Sequence, residues 1–356
     1  MCPGDGPPQG ADREPYPRGE TMPRTVRPTI ALTVGLAAAL LAGCTDNTAS
    51  DSGTGGAAGT ASDRARAGAA ASPTAAPPPT GPYVALGDSY TAGMKIAPQV
   101  GEPGACYRSG ANYPSLVAKG LSLAADQFKD VSCSGARTGD LTGPQKVADG
   151  TNPAQLDALT ADTRLVTLGI GGNDAGFIEV VTECAKANLV DIVKGVISDS
   201  ADRISDSPCR DHYAAGSGTD EVQRKVDAAG DRIGQVLQDV KKRSPKAKVY
   251  VIGYPGLLPA DPANCLPVLG NAVAASDLAF LVEKQQQLNG MLKKRADAAG
   301  AVFVDLAGPS AGHDMCAGED KRWVEPPLPA QGSAPIHPNA KGQEAMSGVV
   351  LKAIKG

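Results

Sequence analysis

Val84-Ala85-Leu86-Gly87-Asp88-Ser89-Tyr90 is the stretch whose reading decides the fold. Its three apolar residues suit a short buried strand, and Gly-Asp-Ser ends it in a tight turn beyond which a helix starts. A serine held at the carboxyl end of a strand, in a turn that feeds a helix, points its hydroxyl into the crevice where open α/β sheets bind ligands. Ser89 is therefore a candidate nucleophile. An isolated Gly-Asp-Ser is more often a turn that caps a helix, so the rest of the chain has to decide.

Downstream, the pattern of apolar strand followed by small-residue turn recurs. Tyr113 to Leu123 carries apolar residues at helical spacing, and Val131 to Ala136 reads as a short strand ending in a turn at Gly135. Gln155 to Leu159 suits a short helix. Arg164 to Asp174 then repeats the opening motif, a buried-strand run ending in Gly171-Gly172-Asn173-Asp174. A helix over Glu221 to Lys242 leads to a strand over Val249 to Pro255, and a helix over Ala275 to Ala298 leads to a strand over Ala301 to Leu306. Helices alternating with apolar strands predict a parallel sheet covered on both faces. Ser198 to Gly218 and Gly308 to Ile336 break the alternation and read as surface loops. The second holds the only tryptophan, Trp323, for which packing and substrate contact weigh equally.

Upstream of Gly81 the composition is Gly, Ala, Pro, Ser and Thr with few large apolar residues, which cannot offset the entropy of ordering. Within it, Arg24 and Arg27 precede an apolar run from Ile30 to Ala42, too short to span a bilayer but suited to an export signal. The run meets Leu41-Ala42-Gly43-Cys44, which resembles a bacterial lipobox and implies acylation of Cys44. Residues 1–44 are thus expected to be a signal region, with Met22 a plausible true start, and residues 45–80 a flexible linker. Membrane association through that anchor, on the outer face of the cell, is the expectation, with free secretion as the alternative.

Of eight cysteines, setting aside Cys2 and Cys44 leaves Cys106, Cys133, Cys184, Cys209, Cys265 and Cys316, an even number in an exported domain. Disulfides follow, in one of fifteen connectivities. No CxxC pair exists and only three histidines are present, so no metal is expected; taken with the rest of the chain, no organic cofactor is expected either. A formal net charge of −4 gives no basic footprint for nucleic acid.

Serine-based ester hydrolysis needs a nucleophile, a base and donors for the developing oxyanion. His337, in Pro335-Ile336-His337-Pro338-Asn339, sits in a turn before the last helix; His212 and His313 lie in polar stretches and read as solvated. The four blocks at Ser89, Gly135, Asn173 and His337, in that order, closely resemble the SGNH (GDSL) hydrolases over residues 81–356. Length and cysteine count look most like the secreted actinobacterial lipase and esterase branch. That resemblance implies a flavodoxin-like, three-layer α/β/α sandwich and sequential bridges, Cys106 to Cys133, Cys184 to Cys209 and Cys265 to Cys316. It makes Ser89 the nucleophile, His337 the general base, and the Ser89 N–H, Gly135 N–H and Asn173 amide the oxyanion donors. Asp88 and Asp174 read as hydrogen-bonding their own turns.

One position departs from the family. Where most members place an aspartate three residues before the histidine, this chain has Ala334. A backbone carbonyl within Ser333 to Pro335 is expected to orient the ring instead, with Asp314 and Glu325 as sequence-distant alternatives. The implied function is an exported, monomeric lipase, phospholipase or simple esterase acting on an ester or lipid. The rival readings are a carbohydrate O-deacetylase on the same scaffold and a non-catalytic surface binding protein, separated by whether acetate, long-chain acid or nothing is released.

Overall fold

The computed structural model describes residues 81–197, 205–214, 220–269, 273–329 and 334–356. The signal region, Cys44 and the linker 45–80 lie outside them, as do Ser333 and parts of the 198–218 stretch. Seven strands are described: β1 (Tyr83–Gly87), β2 (Phe128–Asp130), β3 (Gln145–Val147), β4 (Gly150–Asn152), β5 (Leu165–Gly169), β6 (Lys248–Ile252) and β7 (Val302–Val304). The helices are α1 (Ser89–Ala92), α2 (Tyr113–Gly120), α3 (Gly139–Thr142), α4 (Phe177–Ile197), α5 (Pro208–Ala214), α6 (Glu221–Arg243), α7 (Leu266–Leu269), α8 (Ala275–Ala299) and α9 (Ala340–Lys355).

Five strands form one parallel sheet in the order β2-β1-β5-β6-β7, while β3 and β4 pair as a separate antiparallel hairpin. Within the five-stranded sheet this is the flavodoxin-like order, and the direction of winding reverses at β1, which opens a crevice between β1 and β5. Side chains of β1 alternate between the two helical layers, as the two-residue period requires. Val84 and Leu86 pack with Ile233, Val236 and Val240 of α6 and Leu288 and Leu292 of α8. Tyr83 and Ala85 face Val117 of α2 and Met346, Val350 and Ile354 of α9. Burying an aliphatic side chain of this kind contributes about 1.5–3 kcal/mol, so both faces of the sheet carry a core.

α6 shows why the helices form where they do. Its buried residues recur three and four apart from Val222 to Val240, its N-cap Asp220 accepts from the N–H groups of Val222 and Gln223, and Lys241, Lys242 and Arg243 close its last turn.

Several sequence-based expectations shift. The strand assigned to Val131–Ala136 lies earlier, at Phe128–Asp130; the Asp130 carboxylate draws in the Ser132 N–H and hydroxyl and ends the regular ladder. Residues 131–133 still run beside β1, with Val131 N–H donating to Ala85 O and Cys133 N–H to Gly87 O. α4 escaped detection because it is apolar on both its faces: Val180 and Cys184 are buried, while Leu189, Val190 and Val193 are exposed. The 198–218 stretch is not wholly loop, since α5 lies within it. The hairpin β3–β4, too short and polar to stand out, had no counterpart.

The cysteines pair Cys106–Cys133, Cys184–Cys209 and Cys265–Cys316. The first ties the segment after α1 to the segment after β2, the second joins α4 to α5, and the third joins the turn before α7 to the segment after β7.

Candidate active site

Two loops leave the sheet level with one another, because Gly87 of β1 pairs with Gly169 of β5. Gly87 can be no other residue: a Cβ there would lie 2.2 Å from Thr91 Oγ1 and 2.5 Å from the Gly169 carbonyl oxygen. Gln155 clamps it from both sides, accepting from Gly87 N–H (2.8 Å) and donating to Gly87 O (2.9 Å). Asp88 N–H then donates across to Gly169 O (3.0 Å), and the Asp88 carboxylate caps α1 by accepting from Tyr90 N–H (3.0 Å). Ser89 follows as the first residue of α1, nearly buried, with its hydroxyl turned into the crevice.

The Ser89 hydroxyl lies 2.7 Å from His337 Nε2. On the far side of the ring, Nδ1 lies 2.7 Å from Pro335 O. A carbonyl oxygen only accepts, so Nδ1 carries the proton and Nε2 is left with a lone pair facing the serine. Ile336 makes this possible by adopting φ +59°, a left-handed conformation rare for a β-branched side chain and costing on the order of 1–3 kcal/mol. The bend is held from outside: Tyr90 O–H donates to Ile336 O (2.5 Å), Ile336 N–H to Glu325 O (3.1 Å) and Glu325 N–H to His337 O (2.9 Å). Burial lowers the His337 pKa below the ordinary histidine value, Pro335 O opposes the shift and Lys95 reinforces it.

Gly135 and Asn173 face the same cavity as Ser89 and His337. Gly135 stands at φ +77°, in a turn closed by Ala136 N–H donating to Cys133 O (3.0 Å). Asn173 Nδ2 donates to Ala136 O (2.9 Å), which fixes the amide and leaves its second hydrogen for the cavity. Neither the Ser89 nor the Gly135 N–H has a partner among the described residues.

Asp88 does more than cap its own turn. Its second oxygen accepts from Tyr254 O–H (2.6 Å), and Tyr254 in turn accepts from Gly172 N–H (2.8 Å), so one tyrosine links the loops after β1 and β5. Burial pushes the Asp88 carboxyl up to about 7, against the hydrogen bonds from Tyr254 and the backbone. Asp174 departs from the sequence expectation: it serves not its own turn but Thr138, accepting from its N–H (2.9 Å) and hydroxyl (2.6 Å), and an ion pair with Arg232. Asp314 accepts from Cys316 N–H, and Glu325 pairs with Arg322 and accepts from Asn339. His313 is not merely solvated, because it stacks on Trp323 at 4.4 Å between ring centres. His212 lies on α5 against Tyr213 rather than in a loop. Trp323 is thus used in packing.

The cavity at Ser89 holds about 370 Å³ and is walled by Met94, Tyr107, Phe177, Ile178, Leu257 and Leu288. A narrower apolar cavity of about 70 Å³ shares Phe177 and Leu257 with it. Gln155, Tyr90 and Tyr254 were not found from sequence. Tyr254, two residues past the end of β6 and just before Pro255, carried a faint signal by position; Gln155 carried none.

The sequence profile of the GDSL-like Lipase/Acylhydrolase family matches residues 85–345. The chain is 39% identical to Lipase 2 of Streptomyces coelicolor over 272 residues, 76% of this chain and 84% of that protein. It is 31% identical to an esterase of Streptomyces scabiei, over 79% of this chain and 87% of the other. Among solved structures it resembles phospholipase A1 from Streptomyces albidoflavus, with a TM-score of 0.58 and 28% identity over 78% of this chain and 99% of that one. An extracellular lipase from Streptomyces rimosus gives 0.56 and 27%, over 77% and 99%.

Proposed function

This chain belongs to the GDSL-like lipase and acylhydrolase family and is a carboxylic ester hydrolase, and from that premise we propose that it cleaves lipid esters through an acyl-enzyme on Ser89. As Ser89 Oγ attacks the acyl carbonyl, its proton passes to His337 Nε2. The oxyanion that forms is met by the Ser89 and Gly135 N–H groups and the free Asn173 amide hydrogen, each worth on the order of 3 kcal/mol in such sites. His337 then returns the proton to the leaving alcohol as the tetrahedral adduct collapses. Water repeats the sequence on the acyl-enzyme, and the acid leaves with Ser89 restored. Pro335 O holds the ring in the tautomer this needs and stabilises imidazolium less than a carboxylate would.

The observation that carries this reading is the 2.7 Å contact of Ser89 Oγ with Nε2 on a ring whose Nδ1 is tied to Pro335 O. The apolar cavity beside it supports a lipid acyl chain as the substrate group. The test is hydrolysis of p-nitrophenyl esters from acetate to palmitate by the full chain and by Ser89→Ala. Loss of turnover by roughly 10⁴-fold or more is the outcome expected from removing a nucleophile. Activity surviving in Ser89→Ala would sink the mechanism.

We further propose export and anchoring through an acylated Cys44, with the enzyme working as a monomer. Replacing Cys44 with serine should move the protein from the detergent phase to the medium, and an unchanged partition would refute the anchor.

A further inference from the structure

We propose that Gln145 is a positioning residue that keeps the oxyanion hole in its working form by selecting one of two conformations of the Cys133–Ala136 turn. The inference rests on Gly135 serving as an oxyanion donor. The turn is closed by the bond from Ala136 N–H to Cys133 O, with Gly135 at its third position and at φ +77°. Ser134, at the second position, is absent from the residues with positive φ, so the turn is of type II. Types I and II share their ends and differ by a half-rotation of the central peptide, here Ser134–Gly135. That rotation exchanges the directions of Ser134 C=O and Gly135 N–H. In the flipped form an acceptor would face the position of the oxyanion, where the observed form offers a donor. Glycine takes either form without a steric penalty, so the residue the hole needs is also one that cannot hold it.

The flanks of the turn are pinned. Ser134 N–H donates to Cys106 O (3.0 Å) and Asn173 holds Ala136 O, which leaves the central peptide as the part free to rotate. Its carbonyl is held by one bond, from Gln145 Nε2 to Ser134 O at 2.9 Å. Gln145 opens β3, is 8% exposed and does not line the cavity, so it acts through the peptide and not on the substrate. The donor also polarises the Ser134–Gly135 amide in the sense that strengthens its N–H. Gln145 Oε1, meanwhile, has no partner among the described residues. A buried acceptor left unpaired is unfavourable, and a hydrocarbon of similar shape would avoid it, which fits an amide kept for its donor.

The test uses the full chain with Gln145→Leu and Gln145→Glu. Gln145→Leu removes the donor and should lower kcat on the order of 10-fold with KM nearly unchanged, a fraction of what loss of a whole donor does. Inhibition by an alkylboronic acid, whose adduct on Ser89 places a tetrahedral oxygen in the hole, should weaken by the same factor. Gln145→Glu is the sharper variant. Ionised, it offers only acceptors and favours the flipped N–H; protonated, it regains a donor. Its activity relative to the unsubstituted enzyme should therefore rise several-fold between about pH 8 and pH 5, a ratio in which the titration of His337 cancels. A Gln145→Leu kcat within twofold of the original, or a fall in kcat with unchanged boronate affinity, overturns the proposal. So does a Gln145→Glu ratio that ignores pH, or a Gln145→Glu protein inactive at every pH. If Ser89→Ala is dead while Gln145→Leu is unimpaired, this inference fails and the ester-hydrolase mechanism stands.

Discussion

Two turns, at Ser89 and at Gly135, border the same cavity and are secured by different balances of backbone and side-chain bonds. The Asp88–Ser89 turn is held largely by backbone, with Gln155 and Tyr254 as outside braces: Asp88 N–H bonds to Gly169 O, Ala92 N–H to Asp88 O and Gly93 N–H to Ser89 O. The Ser134–Gly135 turn is held largely by side chains from elsewhere. Asn152 donates to Val131 O (3.4 Å), Arg108 to Ser132 O (2.9 Å), Gln145 to Ser134 O and Asn173 to Ala136 O. In the first turn most backbone bonds run within Asp88 to Gly93, and one reaches across to Gly169. The braces of the second turn come from side chains spread over about 65 residues, from Arg108 to Asn173.

The largest effect should come from the brace that is also a donor. If Asn173 is the third oxyanion donor, as proposed, Asn173→Ala removes that donor and frees Ala136 O, and turnover should fall by ~10²–10³-fold in kcat on p-nitrophenyl butyrate. A fall below about tenfold would mean that the two backbone donors suffice and the braced turn matters less than its geometry suggests.

The disulfides give a sharper version of the same contrast. Cys106–Cys133 and Cys184–Cys209 close loops of 27 and 25 residues. Chain entropy then predicts nearly equal losses of stability on removal, about 3–4 kcal/mol each. Their catalytic consequences should differ. Cys133 opens the braced turn and Cys106 O holds Ser134 N–H, so Cys106→Ala/Cys133→Ala should lower kcat several-fold at a temperature where the protein remains folded. Cys184→Ala/Cys209→Ala acts on α4 and α5 and should leave kcat within about twofold. Thermal melts and steady-state rates on the two double variants decide it, and equal kcat values would show that the bridge supports the fold alone.

That contrast also explains what the sequence could say. The strands β1 and β5, with the glycine turns behind them, were legible because each is a local apolar run whose ending is chemically marked. The family resemblance added the pairing of cysteines and the roles of Gly135 and His337, which no spacing gives. Gln145 and Gln155 were illegible and Tyr254 nearly so: each serves through one or two hydrogen bonds to groups distant in sequence, and an amide or phenol on a short strand or turn advertises no partner. α4 was missed for the opposite reason, since its apolar residues cover both faces and blur the period that marks an amphipathic helix. Ala334 was the informative surprise. The missing aspartate leaves His337 oriented by Pro335 O, and the positive φ of Ile336 that permits this cannot be read from residue type.

The smallest predicted effect tests which of two buried groups limits activity at acid pH. As the proposed general base, His337 must be neutral to accept the serine proton, and burial lowers its pKa, so the acid limb of kcat/KM should lie below the ordinary histidine value of 6.5. Because the depressed value means the unfolded chain takes up the proton first, His337 also costs stability as pH falls below 6.5, so activity and stability decline together on that side. Asp88, raised to about 7, titrates in a neighbouring window with the opposite sign: its protonated form is favoured by the fold, and stability is lost as pH rises from the unfolded carboxyl range through 7. Asp88→Asn separates the two. Asparagine still caps α1 through its one amide oxygen and does not titrate, while its NH2 group faces the Tyr254 hydroxyl, which must then accept where it donated to Asp88. The acid limb should persist in that variant and should move up by a few tenths of a pH unit in Lys95→Gln, because Lys95 is among the charges that disfavour imidazolium. The Lys95 effect should fade in high salt, since that side chain is exposed. A limb that vanished in Asp88→Asn would assign it to the carboxyl, and the backbone-held turn would then carry the proton switch.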